Sequence, residues 1–248
     1  MRDFGKTGMK IKRVGFGGIP IQRISQEDTN KVIDELEKCG VNFIDTARGY
    51  TVSEEYLGNA LKGRREKFYI ATKSMSRDYE SMKRDIEISL KNLQTDYIDL
   101  YQMHNVKPAE YDTLFGEDKA YRALLEAKEQ GKIKHIGITS HGLETVEKAV
   151  ESDKFETIQF PYNIVENQAD EVFKRAYEKG VGTIVMKPLA GGAIDDGTLA
   201  MKYLLSREYI DVAIPGMDSP QQVIENTDVL QNYELTEEDN KKIAKIKS

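Results

Sequence analysis

Val41-Asn42-Phe43-Ile44-Asp45-Thr46-Ala47-Arg48-Gly49-Tyr50 reads as a short apolar strand that ends on a carboxylate, followed by a turn that carries a phenol. Two further strand-like runs end on matching chemistry. Phe68-Tyr69-Ile70-Ala71-Thr72-Lys73 ends on a lysine, and Tyr97-Ile98-Asp99-Leu100-Tyr101-Gln102-Met103-His104 ends on a histidine. Asp45, Tyr50, Lys73 and His104 thus lie at or just beyond three successive strand ends, the arrangement expected of one proton-handling site.

Outward from this stretch, strand and helix patterns alternate. Asp3 to Ile11 has turn residues between short extended pieces and reads as a small hairpin. Arg13-Val14-Gly15-Phe16-Gly17-Gly18 is a strand ending in glycines, which let a backbone approach a ligand closely or make a tight turn. Ser25 caps a helix with Val32, Ile33, Leu36 and Cys39 at helical spacing, and Gly40 ends it. Helical patterns follow at 53–61, 79–93, 120–130, 143–150, 169–178, 199–205 and 220–230, with a last helix from Thr236. Strand patterns lie between them at 135–140, 157–160, 182–187 and 211–214. Strands joined by helical crossovers imply a parallel sheet. Eight such units at this length close most economically into an α/β, (β/α)8 TIM barrel with a short N-terminal β-hairpin, as one domain over residues 1–248. An open doubly wound sheet is the alternative, but no Gly-x-Gly-x-x-Gly follows the first strand.

Composition narrows the function classes. The chain is 39% hydrophobic and 31% charged, an ordinary globular balance. The net charge of -6, with both signs interleaved, argues against a nucleic-acid partner. A single cysteine, Cys39, can form neither an internal disulfide nor a metal site. The sequence has no apolar run long enough for a membrane span and no charged-then-apolar leader, so the expectation is a cytoplasmic protein without a membrane partner.

In a barrel of this kind chemistry sits at the carboxyl ends of the strands. Those ends carry Gly18, Asp45, Lys73, His104, Ser140, Gln159, Lys187 and Gly216. Carbonyl reduction by hydride uses the first polar group of them together with Tyr50. A developing alkoxide needs a proton donor, and Tyr50 can be that acid. A lysine ammonium near the phenol is expected to lower its pKa, and Asp45 would partner the buried ammonium of Lys73. His104 would orient the carbonyl oxygen and share in proton transfer.

These residues resemble the aldo-keto reductase family over essentially the whole chain. Asp45-Thr46-Ala47-Arg48-Gly49-Tyr50 is similar to its Asp-Thr-Ala-x-x-Tyr segment, and Lys73 and His104 to its lysine and histidine. Val14 to Gly18, Gly137-Ile138-Thr139-Ser140, Gln159 with Tyr162-Asn163, and the run from Ile214 to Asn226 also fit. The resemblance implies an NADP(H)- or NAD(H)-dependent reductase of aldehydes and ketones, without metal or iron–sulphur cluster, acting on a small carbonyl substrate as a monomer or weak oligomer. It implies that Gly18 adjoins the cofactor and that Ser140 and Gln159 bind the nicotinamide carboxamide. Met186, Lys187, Pro188 and Leu189 would line the ring and pyrophosphate. Gly216, Met217, Asp218, Gln222, Glu225 and Asn226 would surround the adenosine end. Substrate would meet Ile19, Ile21, Arg48, Met75, Asn105 and Tyr162, together with Tyr50.

The chain departs from the family's pattern in four places. Ser140 stands where asparagine is common, and Met186 where an aromatic often stacks on the nicotinamide. Gly216, Asp218 and Gln222 replace basic residues that grip a 2′-phosphate, so NADH is expected to serve at least comparably to NADPH. The sequence stops at Ser248, which is expected to leave the pocket without a closing C-terminal loop and without an iron–sulphur domain, as in a short bacterial or archaeal type of member. Two other readings use the same residues: a Schiff-base barrel aldolase using Lys73 or Lys187, and a non-catalytic, dinucleotide-binding regulatory subunit.

Overall fold

The computed structural model describes residues 1–247. An antiparallel pair, β1 (Arg2–Asp3) and β2 (Lys10–Ile11), precedes eight parallel strands. These are β3 (Phe16–Gly17), β4 (Phe43–Asp45), β5 (Tyr69–Ser74), β6 (Ile98–Met103), β7 (Ile133–Thr139), β8 (Thr157–Pro161), β9 (Gly182–Met186) and β10 (Val212–Ala213). Each pairs with its sequence neighbour. The first and last strands meet through Gly15 N–H to Ala213 O at 2.9 Å and Gly17 N–H to Pro215 O at 2.9 Å. The sheet therefore closes on itself as the expected (β/α)8 barrel. Closure depends on Gly17, where a Cβ would lie 2.8 Å from Ile214 O.

The helices form where caps and periodicity placed them. The Ser25 side chain accepts from Asp28 N–H at the start of α1 (Gln26–Lys38), which buries Val32, Ile33 and Leu36. Asp78 caps α3 (Tyr79–Leu93) in the same way, and Gln94, at φ 52°, ends it. Between them lies α2 (Ser53–Ala60), and α4 to α9 follow as Ala120–Glu129, Leu143–Glu151, Asp170–Lys179, Gly197–Leu205, Pro220–Asp228 and Glu237–Lys247. The connection after β6 holds a 3-10 helix, Pro108–Leu114, that helical periodicity did not reveal. Its tighter repeat gives no 3.6-residue signal.

Side-chain alternation divides the barrel in two. Outward-facing residues such as Ile44, Tyr101, Ile158 and Val185 pack under the helices. Inward-facing Phe43, Ala71, Leu100, Ile184, Val212 and Ile214 meet Phe4, Met9 and Ile11 of the hairpin in a separate apolar cluster. The hairpin seats at the amino ends of the strands, because a Cβ on Gly182, the first residue of β9, would lie 2.6 Å from the Phe4 ring. Two residues further along the same inward faces come Asp45, Lys73 and Gln102, with Gln159 beside them. The barrel interior is thus an apolar plug with a polar layer above it, at the carboxyl ends.

Phe4 is fully buried, so Phe4→Ala should open a cavity in the plug. The expected loss is about 3–5 kcal/mol of stability, read by urea unfolding. A loss below about 1 kcal/mol would show that the hairpin contributes little to the barrel.

Candidate active site

The loop after β4 is pinned to its neighbour before it reaches the phenol. Thr46 N–H donates to Ala71 O at 2.8 Å and Arg48 N–H to Lys73 O at 2.9 Å, which carries the strand pairing past the end of β4. Tyr50 N–H bonds Ala47 O at 3.0 Å, and Ser53 N–H bonds Tyr50 O at 2.7 Å as α2 begins. These bonds turn the Tyr50 side chain back over the barrel.

There Lys73, 1% exposed, places its Nζ 2.8 Å from Asp45 Oδ2, 2.7 Å from Thr46 O and 3.4 Å from Tyr50 Oη. His104 packs edge-on to Tyr50, with ring centroids 6.0 Å apart. Its backbone N–H donates to Ser74 O at 2.9 Å. The four residues singled out from the sequence are therefore one cluster.

Electrostatics differ from the expectation at the phenol. Burial pushes the Tyr50 pKa up and outweighs the nearby Lys73 ammonium, which pulls it down. Burial alone would discharge Lys73, but Asp45 and Tyr50 outweigh it and hold the lysine above its ordinary value. Asp45 is raised by burial against the pull of Lys73, Gln159 and Gln102, so acid and base titrate as a pair. His104 is pushed down to about 3, first by burial and then by Lys73 and Arg77. It is a neutral imidazole at physiological pH, whose buried Nδ1 has no partner among the described residues.

Two buried residues behind the cluster were not singled out from the sequence. Glu54, 1% exposed on α2, accepts from Arg48 at 2.5 Å, Thr72 Oγ1 at 2.8 Å, Ser89 Oγ at 2.7 Å and Asn92 Nδ2 at 3.3 Å. It ties the tyrosine loop to β5 and α3. Gln102 donates to Asp45 Oδ1 and to Gln159 Oε1. Its inward parity with Leu100 and His104 was the available signal.

The residues expected around substrate divide. Ile19 and Met75 are 44% and 62% exposed in loops at the mouth. Asn105, at φ 50°, accepts at 2.9 Å through its side-chain oxygen from His141 Nδ1 beside a cavity of about 440 Å³ lined by residues 105–108 and 140–142. Arg48 is half-buried and spent on Glu54. Ile21 and Tyr162 are not brought to the mouth. Ile21 is fully buried in the outer core, and Tyr162 packs on Phe173 and Tyr203 with its hydroxyl on Asp170.

The expected cofactor residues also divide. Gly18 lies against the Asp45 backbone, its N–H 2.8 Å from Asp45 O. Gln159 is at the polar layer, and Met186 lies half-buried above the inner cluster. Lys187 is exposed in a left-handed conformation, φ 54°, with its carbonyl held by Asn163 Nδ2 at 3.1 Å; Pro188 and Leu189 follow it into the next loop. Ser140 is fully buried, and its hydroxyl donates to Val106 O at 2.6 Å, so it is turned away from the mouth. Met217 is likewise fully buried. Gly216 is exposed, Asp218 N–H bonds Gln222 Oε1 at 2.7 Å, and Asn226 Nδ2 bonds Gln222 O at 2.8 Å. Glu225 is exposed and accepts from Gln221 at 2.9 Å. Among the described residues no group of three or more His, Cys, Asp or Glu could hold a metal, and no helix is long and apolar enough to cross a membrane.

Known proteins resemble this chain in sequence and in fold. The chain is 25% identical to L-galactose dehydrogenase of Arabidopsis thaliana, covering 100% of this chain and 93% of that one. It is 29% identical to methylglyoxal reductase DkgA of Escherichia coli K12, covering 92% and 88%. The structure of aldo-keto reductase AKR11C1 from Bacillus halodurans in its holo form superposes with a TM-score of 0.87 at 26% identity, covering 99% of this chain and 95% of that one. The sequence model of the Aldo/keto reductase family matches residues 13–199, three-quarters of the chain, and the chain belongs to that family.

Proposed function

We propose that the chain is a single catalytic domain that reduces aldehydes and ketones to alcohols, with NAD(P)H as hydride source and Tyr50 as general acid. The observation that carries this reading is the Lys73 ammonium, bonded to Asp45 and 3.4 Å from the Tyr50 oxygen. Relatives named for methylglyoxal reduction and for L-galactose dehydrogenation agree with carbonyl–alcohol interconversion.

The residues present suit a dinucleotide. Gln159 offers an amide at the polar layer, Lys187 an exposed cation, and the segment 216–226 a half-buried loop running into α8. When bound, the reduced nicotinamide supplies hydride. Every remaining task falls to side chains. Neutral His104 keeps Nε2–H for the carbonyl oxygen and orients it, without giving up a full proton. Tyr50 gives its proton to that oxygen as negative charge builds. The ammonium of Lys73, held in place by Asp45 and Thr46 O, then stabilises the phenolate left behind. Because those contacts keep Lys73 charged, it lacks the free amine that an aldolase Schiff base requires.

Tyr50→Phe should lower turnover by about 10² or more while leaving dinucleotide affinity essentially unchanged, measured by nicotinamide absorbance and fluorescence. Reduction needs the protonated phenol, whose pKa is raised. The rate of the native protein should therefore fall on the alkaline side as the phenol ionises, with no inflection from His104 between about pH 5 and 8. Full activity in the variant would remove Tyr50 from the mechanism.

Asp218 and the internally bonded Gln222 leave no cation at the positions expected to meet a 2′-phosphate. NADH and NADPH should bind with dissociation constants within about tenfold of each other. A preference for NADPH beyond about a hundredfold would refute this.

A further inference from the structure

Gln102 lies on β6, two residues beyond Leu100 of the inner apolar cluster and two before His104. It is fully buried. Its Nε2 donates to Gln159 Oε1 at 3.0 Å and to Asp45 Oδ1 at 3.4 Å. Because β7 stands between β6 and β8, the side chain must pass over that strand to reach Gln159. It passes over Gly137, its register partner. A Cβ on Gly137 would lie 3.0 Å from Gln102 Cγ and 2.2 Å from Thr157 Oγ1, so a larger residue would block the passage.

The orientation of this amide is informative. Gln102 Oε1 is buried with no partner among the described residues, which is unfavourable. The opposite orientation would be worse, since it would set a carbonyl oxygen against both a carboxylate oxygen and the Gln159 oxygen. As it stands, Asp45 has a donor on each oxygen, Lys73 on Oδ2 and Gln102 on Oδ1. The Gln159 oxygen is occupied, which leaves its two N–H groups as donors, one of them directed at Asp45.

We propose that Gln102 is a positioning residue with two linked effects. It holds Asp45 as an anion, and it turns Gln159 so that an N–H faces the mouth to meet the carboxamide oxygen of the dinucleotide. The charge of the Asp45–Lys73 pair and the recognition of cofactor are thereby coupled through one amide. The second effect rests on the dinucleotide reading, and the first does not.

The full chain carrying Gln102→Met keeps the side-chain shape without the amide. Without cofactor, its melting temperature is compared with that of the native protein across pH. The bond to Gln159 is lost at every pH, whereas the bond to Asp45 favours the ionised carboxylate, so the deficit should be largest where Asp45 is charged and shrink as falling pH protonates it. A deficit equal at every pH would make Gln102 a packing residue and overturn the proposal. Should Gln102→Met fail to fold, Gln102→Glu takes its place: its carboxyl faces Asp45, so its deficit should grow as pH rises, and a flat one overturns the proposal equally.

In a second arm, NADH and NADPH are titrated by fluorescence. Gln102→Met should weaken binding roughly 3- to 10-fold. Adding it to Gln159→Met should cost nothing beyond Gln159→Met alone. Native affinity in Gln102→Met, or losses that simply add, would overturn the coupling. If the native protein binds neither dinucleotide, the functional reading fails, while the pH-dependent deficit still decides the contact with Asp45.

Discussion

A lysine and an aspartate, both almost fully buried, face each other at 2.8 Å in the mouth of the barrel. Removing two charges from water costs several kcal/mol per ion, and their attraction compensates only if the other lone pairs and protons are also satisfied. Here they are. The Lys73 ammonium has three acceptors, Asp45, Thr46 O and Tyr50 Oη, and each Asp45 oxygen has a donor. Much of the surrounding structure maintains that geometry. The extension of strand pairing to Arg48 fixes the loop, Glu54 ties it from behind, and glycines at 17 and 18 admit the neighbouring backbone.

Tyr50 stands between two opposing influences. Burial favours the neutral phenol and the ammonium favours the phenolate, and burial prevails in the resting protein. With Tyr50 as the proposed acid, the proton would therefore stay on oxygen until charge developed beside it. The contact with Lys73 then contributes more to the phenolate than to the phenol, and a group acting more strongly on the transition state than on the resting state is what speeds a reaction.

Much of this was legible in the chain because strands alternate. Once Phe43, Ala71 and Leu100 are taken as inward, Asp45, Lys73, Gln102 and His104 must face the same space. The same parity accounts for two misplaced residues. Gln159 is inward, so Tyr162, three positions on, points outward to Phe173, and Ser140, one past the inward Thr139, turns to Val106. Proximity to a strand end says nothing about face. Ile21 was harder to read, because it belongs to a 3-10 turn, Pro20–Arg23, whose buried side no strand periodicity marks. The direction of the Tyr50 shift was also out of reach, since spacing reveals a neighbouring lysine but not how much water the fold removes. Glu54 looked like an ordinary helix-face carboxylate until its four partners converged on it from β5, α3 and the loop.

The hairpin at the base of the barrel has a further consequence for the charged layer above it. Phe4, Met9 and Ile11 fill the amino end of the barrel with hydrocarbon, so the Asp45–Lys73 pair is closed off from water on that side. Under the proposed function, a ligand seated in the mouth would cover the other side as well. Each cycle of the proposed reduction would then run on a single stored hydrogen ion, and replenishment would wait until the alcohol had left.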